Sequence, residues 1–385
     1  MPNKDNDNTF HRIVARALAL YKYSLDIQEQ CPLFPEHVHI EPTNICNLHC
    51  VHCHHSTRGV HFTKKYGFME LELFKKVVND IKGTASRITL NQQGEPLLHK
   101  HIIDMVKYAK EYGLSVSMLT NGTRLNNLLA KQLIDLRLDR IIFSFEGSKQ
   151  SIHEAIRKGS DYVKTLRNIL YFIKHNFEMG RHTFIGMSMV DTSYSHHDID
   201  DYKRFFSVLP INTIFINPHL TMSGATLTSH EIDINHYKDL PMDTIPVCRL
   251  PWESIVVNWD GTVSPCAVDF NESHIIGDVN KESLIDLFNS DRMRRFRRCH
   301  IEKDYQWIEE QGPLCASCNC RFNEEYDLRS LNDYVSNYIV RQAKVFAPQL
   351  LDADTSGKDT NVEIKYNNLL KMLSHMEELS DKRNQ

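Results

Sequence analysis

Three cysteines, Cys46, Cys50 and Cys53, fall in the run "CNLHCVHC" with C-x3-C-x2-C spacing, and His49, His52, His54 and His55 crowd around them. Thiolates and imidazoles packed this closely are metal ligands, and two chemistries compete. A structural zinc takes four ligands in a tetrahedron, so one histidine would have to complete the three cysteines. A 4Fe–4S cluster has four irons, so three thiolates leave one iron open for a substrate or cofactor. The local stretch leaves both open. A second group lies far along the chain: Cys248, Cys266 and the run "CASCNC" with Cys315, Cys318 and Cys320. Cys31 and Cys299 stand alone and read as small buried hydrophobes. Ten cysteines in this arrangement argue for metal ligands rather than disulfides, as in a reducing compartment.

The composition narrows the classes. The chain has 385 residues, 41% hydrophobic and 24% charged, the balance of an ordinary globule, and its length suits one large domain or two modest ones. A formal net charge of −4 supplies no global basic field for nucleic acid. The longest apolar stretches, such as "IVARALALY" from Ile13, are too short and too charged for a bilayer span. The polar start "MPNKDNDNTFHR" has no signal-peptide layout. The expected location is cytoplasmic, without membrane or nucleic-acid partners. The arginine run Arg292, Arg294, Arg295, Arg297 and Arg298 reads as a solvated helix face.

The elements that must position the cysteines follow from periodicity. Helical spacing marks 9–29, 69–83, 98–113, 126–138, part of 159–180 and 197–210. Strand patterns mark 37–44, 87–94, 114–122, 140–147, 182–190 and 211–218. The strands look apolar enough to be buried on both faces. Alternation of this kind predicts a parallel sheet with right-handed crossovers, either doubly wound or an incomplete barrel. The polar stretches "PTN", "QQGEP", "TNG" and "SFEG" end successive strands, the edge that carries the site in parallel α/β folds. The expected division is an N-terminal helix and connector over 1–36, a core over 37–218, a linker over 219–246, a cysteine-bearing domain over 247–326 and C-terminal helices over 327–385. That domain contains a hairpin turning at Asp260-Gly261, a helix over 283–298 capped at Ser283, and the CASCNC run.

C-x3-C-x2-C after the first strand, "GEP" after the second, "TNG" after the third and "SFEG" after the fourth resemble the radical S-adenosylmethionine (radical SAM) superfamily, from residue 37 to about 218. The resemblance implies an α/β fold, a partial (β/α)6 TIM-like barrel. It implies that Cys46, Cys50 and Cys53 hold a 4Fe–4S cluster whose open iron binds the amine and carboxylate of S-adenosyl-L-methionine (SAM). Gly94, Glu95 and Pro96 match the motif that meets the methionine amine, where Glu95 offers a carboxylate to an ammonium. Ser144 matches a ribose or methionine contact, and Arg157 an arginine near the methionine carboxylate. His52 stands where an aromatic beside the adenine is usual, and Glu146 where many members carry Asp. The implied chemistry is reductive cleavage of SAM to a 5′-deoxyadenosyl radical, which abstracts hydrogen from a substrate.

Cys248, the twelve residues after it, Gly261, four more and Cys266 resemble the opening of SPASM and twitch auxiliary domains. That implies one auxiliary 4Fe–4S cluster on Cys248, Cys266, Cys315 and either Cys318 or Cys320, since a full two-cluster pattern would need cysteines that the chain lacks after Cys320. A filled cluster transfers electrons rather than binding substrate. The expected activity is therefore a radical SAM oxidoreductase on a small polar molecule such as a sugar or aminocyclitol, with reduced flavodoxin or ferredoxin as electron donor. A maturase of peptide or protein side chains is the alternative; the short stretch before Cys46 favours the small molecule. A zinc-binding nucleic-acid module is the reading from a different class.

Overall fold

The computed structural model describes residues 27–31, 33–53, 65–218, 246–270, 272–312, 315, 318 and 360–383. Nearly all of the expected N-terminal helix and linker, and residues 327–359 of the expected C-terminal helices, lie outside them. Six parallel strands, β1 (His37–Ile40), β2 (Arg87–Leu90), β3 (Ser115–Thr120), β4 (Arg140–Ser144), β5 (Phe184–Asp191) and β6 (Thr213–Pro218), lie side by side in chain order. Helices Leu71–Ile81, Ile102–Glu111, Asn127–Asp135, Tyr162–Glu178 and Ile199–Ser207 make the crossovers. An unbroken order puts every crossover on one face, whereas a doubly wound sheet reverses its order midway. The sheet does not close, so the fold is the partial barrel.

The strands are not apolar on both faces, as their composition suggested. Val38, Ile40, Ile88, Leu90, Val116, Met118, Ile141, Phe143, Ile185, Met187 and Met189 belong to the core beneath the helices. The alternate residues, polar His37, His39, Arg87, Thr89, Ser115, Ser117, Arg140, Ser144 and Ser188 together with apolar Leu119, Ile142, Phe184 and Val190, face the other way, into the arc. Side chains alternate along a strand, and an open arc leaves its inner face room for polar groups that a doubly covered sheet would exclude.

The C-terminal hairpin is continuous with this sheet. β7 (Ser254–Val257) pairs in parallel with β1, and β8 (Thr262–Ser264) and β9 (Gly277–Asp278) follow antiparallel. Gly261 turns the hairpin with φ of 92°, and a β-carbon there would lie 2.3 Å from Asn280 Nδ2. Both halves of the chain thus share one backbone ladder.

The expected helix over 283–298 is two helices, Leu284–Leu287 and Asp291–Glu302. Ser283 Oγ accepts from Asp286 N, and Ser290 Oγ accepts from Met293 N to start the second. Asn289, between them, accepts from Cys31 N and Arg297 Nη1 and donates to Cys31 O. The arginine run is a solvated face except at one position: Arg292, Arg295 and Arg298 are exposed and Arg294 is half-buried. Arg297 is fully buried, donating to Pro251 O and Glu29 O and lying 4.2 Å over the Phe288 ring. Arg298 pairs with Glu29, Arg294 with Asp291 and Arg292 with Gln311, while Arg295 lies over Trp307.

The helix Thr360–Arg383, within the expected C-terminal helices, packs along Tyr162–Glu178, with Tyr366 stacked on Phe177 at 4.2 Å. Asn289→Ala removes two hydrogen bonds to Cys31 and one from Arg297 and is expected to destabilise the fold by about 2 kcal/mol. A thermal unfolding midpoint equal to that of the parent would show that Asn289 contributes nothing there.

Candidate active site

The cysteine loop begins where β1 ends and is pinned at its neck. Thr43 Oγ1 donates to Gly67 O at 2.6 Å, Asn44 Nδ2 donates to Lys65 O at 3.0 Å, and Asn44 Oδ1 accepts from Gly67 N at 2.9 Å. Farther along, His49 N donates to Lys158 O and Val51 N to Ile156 O, which fix the loop on the end of helix Gln150–Ile156. The GEP turn after β2 lies directly on this loop. A β-carbon at position 94 would sit 2.2 Å from Thr43 O and 2.7 Å from Ile45 O, so only glycine fits. Glu95 N donates to Ile45 O at 2.9 Å. Pro96 opens the short 3-10 turn Pro96–Leu98, where a missing N–H costs nothing.

Glu95 is buried, and its carboxylate accepts from Leu97 N at 3.0 Å, Thr120 Oγ1 at 2.7 Å and Asn121 N at 2.7 Å. Burial pushes its pKa up against the pull of these donors. The sequence expectation gave this carboxylate to a ligand's ammonium. In the structure three donors already meet it at the ends of β2 and β3, two of them from the TNG turn.

Three N–H donors point at the cysteine sulfurs. Leu48 N lies 3.5 Å and Asn121 Nδ2 3.9 Å from Cys46 Sγ, and Arg157 Nη1 lies 3.7 Å from Cys50 Sγ. Asn121 also donates to Asn47 Oδ1 at 3.2 Å. The thiols of Cys46, Cys50 and Cys53 feel one another's charge. Burial pushes Cys46 up to about 11 and Cys50 up to about 12. Among the described residues, no set of three or more His, Cys, Asp or Glu is gathered to hold a single metal ion. A four-iron cluster bonds each thiolate to a different iron, and sulfurs that accept from chain donors are the acceptors such a cluster presents. The donor set fits that group.

Arg157 is buried beside them, and its Nη2 donates to Glu146 Oε1 at 2.9 Å. Glu146 is also buried and takes Val190 N on Oε2 at 3.0 Å. His52 lies against the same pair, its Nε2 3.8 Å from Glu146 Oε1. Burial raises the Glu146 pKa, opposed chiefly by Arg157. Glu146 is therefore an anchor for Arg157, a role the sequence hid behind its departure from Asp. Ser144 ends β4 beside Ser188, half-buried on the inner face. The structure brings Cys46, Cys50, Cys53, Glu95, Arg157, His52 and Ser144 to one sheet edge, where Ser144 ends β4. His54 and His55 lie outside the described residues.

At the second cysteine group, Cys248, Cys266 and Cys318 are buried and act on one another electrostatically. Burial pushes Cys248 up to about 12 and holds Cys266 well above the ordinary thiol range. Cys315 Sγ lies 3.6 Å from His300 Nε2, and Cys320 lies outside the described residues. Two glutamines connect the two groups. Gln92 Nε2 donates to Ala267 O at 2.7 Å, beside Cys266, and holds its backbone at a φ of 146° that non-glycine residues avoid. Gln93 Nε2 donates to Glu272 Oε1 at 3.2 Å, and Gln93 N to the buried Glu41 Oε1 at 3.0 Å. Sequence reasoning quoted "QQGEP" for its last three residues and missed the first two.

Residues 40–205 match the radical SAM superfamily, and residues 248–319 match SPASM, an iron–sulfur cluster-binding domain. The chain is a radical SAM protein with a C-terminal SPASM domain. Its cofactors are SAM and 4Fe–4S clusters. It is 26% identical over 324 residues to the tungsten-containing aldehyde ferredoxin oxidoreductase cofactor-modifying protein of Pyrococcus furiosus, covering 74% of this chain and 88% of that one. It is 24% identical over 328 residues to the cysteine-type anaerobic sulfatase-maturating enzyme of Clostridium novyi, covering 73% and 86%. In fold it is similar to SuiB of Streptococcus suis bound to precursor peptide SuiA, with TM-score 0.58, 14% identity and coverage of 80% and 74%. No helix among the described residues is long and apolar enough to cross a membrane.

Gly94→Ala is expected to push the GEP turn off the cysteine loop. Reconstituted under anaerobic conditions, the variant should lose about four of about eight irons per chain, counted by iron analysis. Full iron content would show that the close approach at Thr43 and Ile45 is dispensable.

Proposed function

We propose that this radical SAM/SPASM enzyme is a maturase that modifies a side chain of a peptide or protein. The observation that carries the reading is the reach of the relatives. Two that run through both the barrel and the cysteine-bearing C-terminal part are named for maturing a sulfatase and for modifying another enzyme's cofactor. These relatives favour the alternative over the small-molecule oxidoreductase that the sequence suggested first.

In this reading Cys46, Cys50 and Cys53 hold the cluster that binds SAM, and Cys248, Cys266 and Cys315, with Cys318 or Cys320, hold an auxiliary cluster. When bound, SAM supplies a 5′-deoxyadenosyl radical that takes hydrogen from the substrate, given an electron from reduced flavodoxin or ferredoxin. The chain's own residues position and exclude. Gly94, Glu95 and Pro96 shape the floor against the cysteine loop, and Asn121 N–H and Arg157 N–H brace the sulfurs. The Glu146 carboxylate holds Arg157 so that its charge stays beside Cys50. Ser144 and His52 border the space above the inner face and meet the bound cofactor. The closely packed edge keeps water from a reactive radical.

The test is anaerobic coexpression with the polypeptides encoded beside this gene, followed by intact-mass analysis and a label experiment. The maturase reading predicts a mass change on a polypeptide and transfer of deuterium from that labelled polypeptide into 5′-deoxyadenosine, both lost in Cys50→Ala. Label arriving only from a sugar or aminocyclitol would return the enzyme to small-molecule oxidation.

A further inference from the structure

Helices Asp291–Glu302 and Gln306–Glu309 build a small core of their own beside the second cysteine group. Phe296, Cys299, Tyr305, Ile308 and Cys315 are buried together there, and Val268, two residues after Cys266, packs against them. Cys318 N donates to Cys315 O at 3.4 Å, so these two cysteines share one tight turn. Cys318 in turn acts electrostatically on Cys248 and Cys266. Four buried thiols from three stretches of chain fit a filled 4Fe–4S cluster, which bonds each thiolate to its own iron.

An imidazole enters this apolar setting. His300 is buried on the helix Asp291–Glu302, with Nε2 3.6 Å from Cys315 Sγ and Nδ1 3.5 Å from the Tyr305 hydroxyl. Its ring packs on Phe296 at 5.1 Å and stands perpendicular to Tyr305 at 5.2 Å. The packing of the two helices therefore sets its direction. A neutral thiol is a weak acceptor, and an imidazole buried against one gains little. A cluster-bound cysteine is a thiolate, which has no proton to give and accepts strongly. Against a thiolate the contact is a hydrogen bond only with the proton on Nε2, which leaves Nδ1 to accept from the Tyr305 hydroxyl.

We propose that His300 donates a hydrogen bond to the Cys315 thiolate and so raises the reduction potential of the auxiliary cluster, with Tyr305 as the positioning residue that keeps the proton on Nε2. The inference rests on the auxiliary cluster of the reading above. One added electron puts more negative charge on a cluster and its sulfurs. An N–H aimed at a sulfur stabilises that form more than the oxidised one. The bond thus favours the reduced cluster, and no proton is transferred with the electron.

Anaerobic potentiometric titration of the reconstituted full chain with dithionite, read by electron paramagnetic resonance with and without SAM, tests it. SAM takes the open iron of the first cluster and alters its signal, whereas a filled cluster has no site for it. The signal indifferent to SAM therefore gives the auxiliary midpoint. In His300→Phe that midpoint is expected to fall by about 59 mV, a tenfold change in the ratio of oxidised to reduced cluster at a fixed potential. Tyr305→Phe should move the ratio about threefold in the same sense. His300→Gln, whose amide N–H replaces the ring donor, should stay within about threefold of the parent. Iron analysis at about eight irons per chain shows that a variant holds both clusters. If His300→Phe falls to about four, Tyr305→Phe decides, and an unchanged midpoint there overturns the proposal. At full iron, an unchanged midpoint in His300→Phe, or an equal fall in His300→Gln, would overturn it and leave the maturase reading standing. About four irons in the parent would remove the auxiliary cluster and this proposal with it. A polypeptide left unmodified while the midpoint shifts as expected would count against the maturase reading alone.

Discussion

The buried carboxylate of Glu95 is the interaction on which the candidate site depends. It takes three hydrogen bonds from the ends of two strands, while its own amide reaches Ile45 at the start of the cysteine loop. A carboxylate out of water is tolerated only when donors replace its hydration, and here the donors are the turns themselves. Loss of this one group would free the GEP turn, the TNG turn and the Asn121 side chain that reaches Cys46. Gly94 belongs to the same device, because the clamp closes only if the two backbones touch.

The second half of the molecule is tied to this clamp rather than appended to it. β7 extends the barrel's ladder past β1, and Gln92 and Gln93 carry the GEP turn onto the loop around Cys266. A residue held at positive φ next to a close-packed glycine is a strained arrangement, and such strain persists where surroundings over-determine it. The two cysteine groups therefore sit on a common frame.

Much of this was legible in sequence because it is written in local chemistry. The six strand patterns, the turn motifs at their ends and both cysteine groups fall where periodicity and spacing put them. The arrangement of strands in chain order was not legible, since alternation alone permits either winding. Nor was the polar inner face: the helix-side residues of each strand dominated its composition and hid the alternate His, Ser, Thr and Arg. The arginine run was legible as a solvated face but for Arg297, because charge pattern says nothing of the Pro251 and Glu29 carbonyls that receive it. That Glu95 also ties two turns together was not legible, since one of its donors, Asn121 N, lies 26 residues away.

The most direct measurement is the iron content of Glu95→Ala, reconstituted without SAM, beside the SAM affinity of Glu95→Gln. If the carboxylate is the clamp, the alanine variant loses the first cluster, dropping from about eight irons to about four. The glutamine variant, which keeps two acceptor directions on its oxygen, would retain part of that cluster. Full iron in both variants with SAM binding alone weakened would contradict the account, and would give Glu95 back to the ligand.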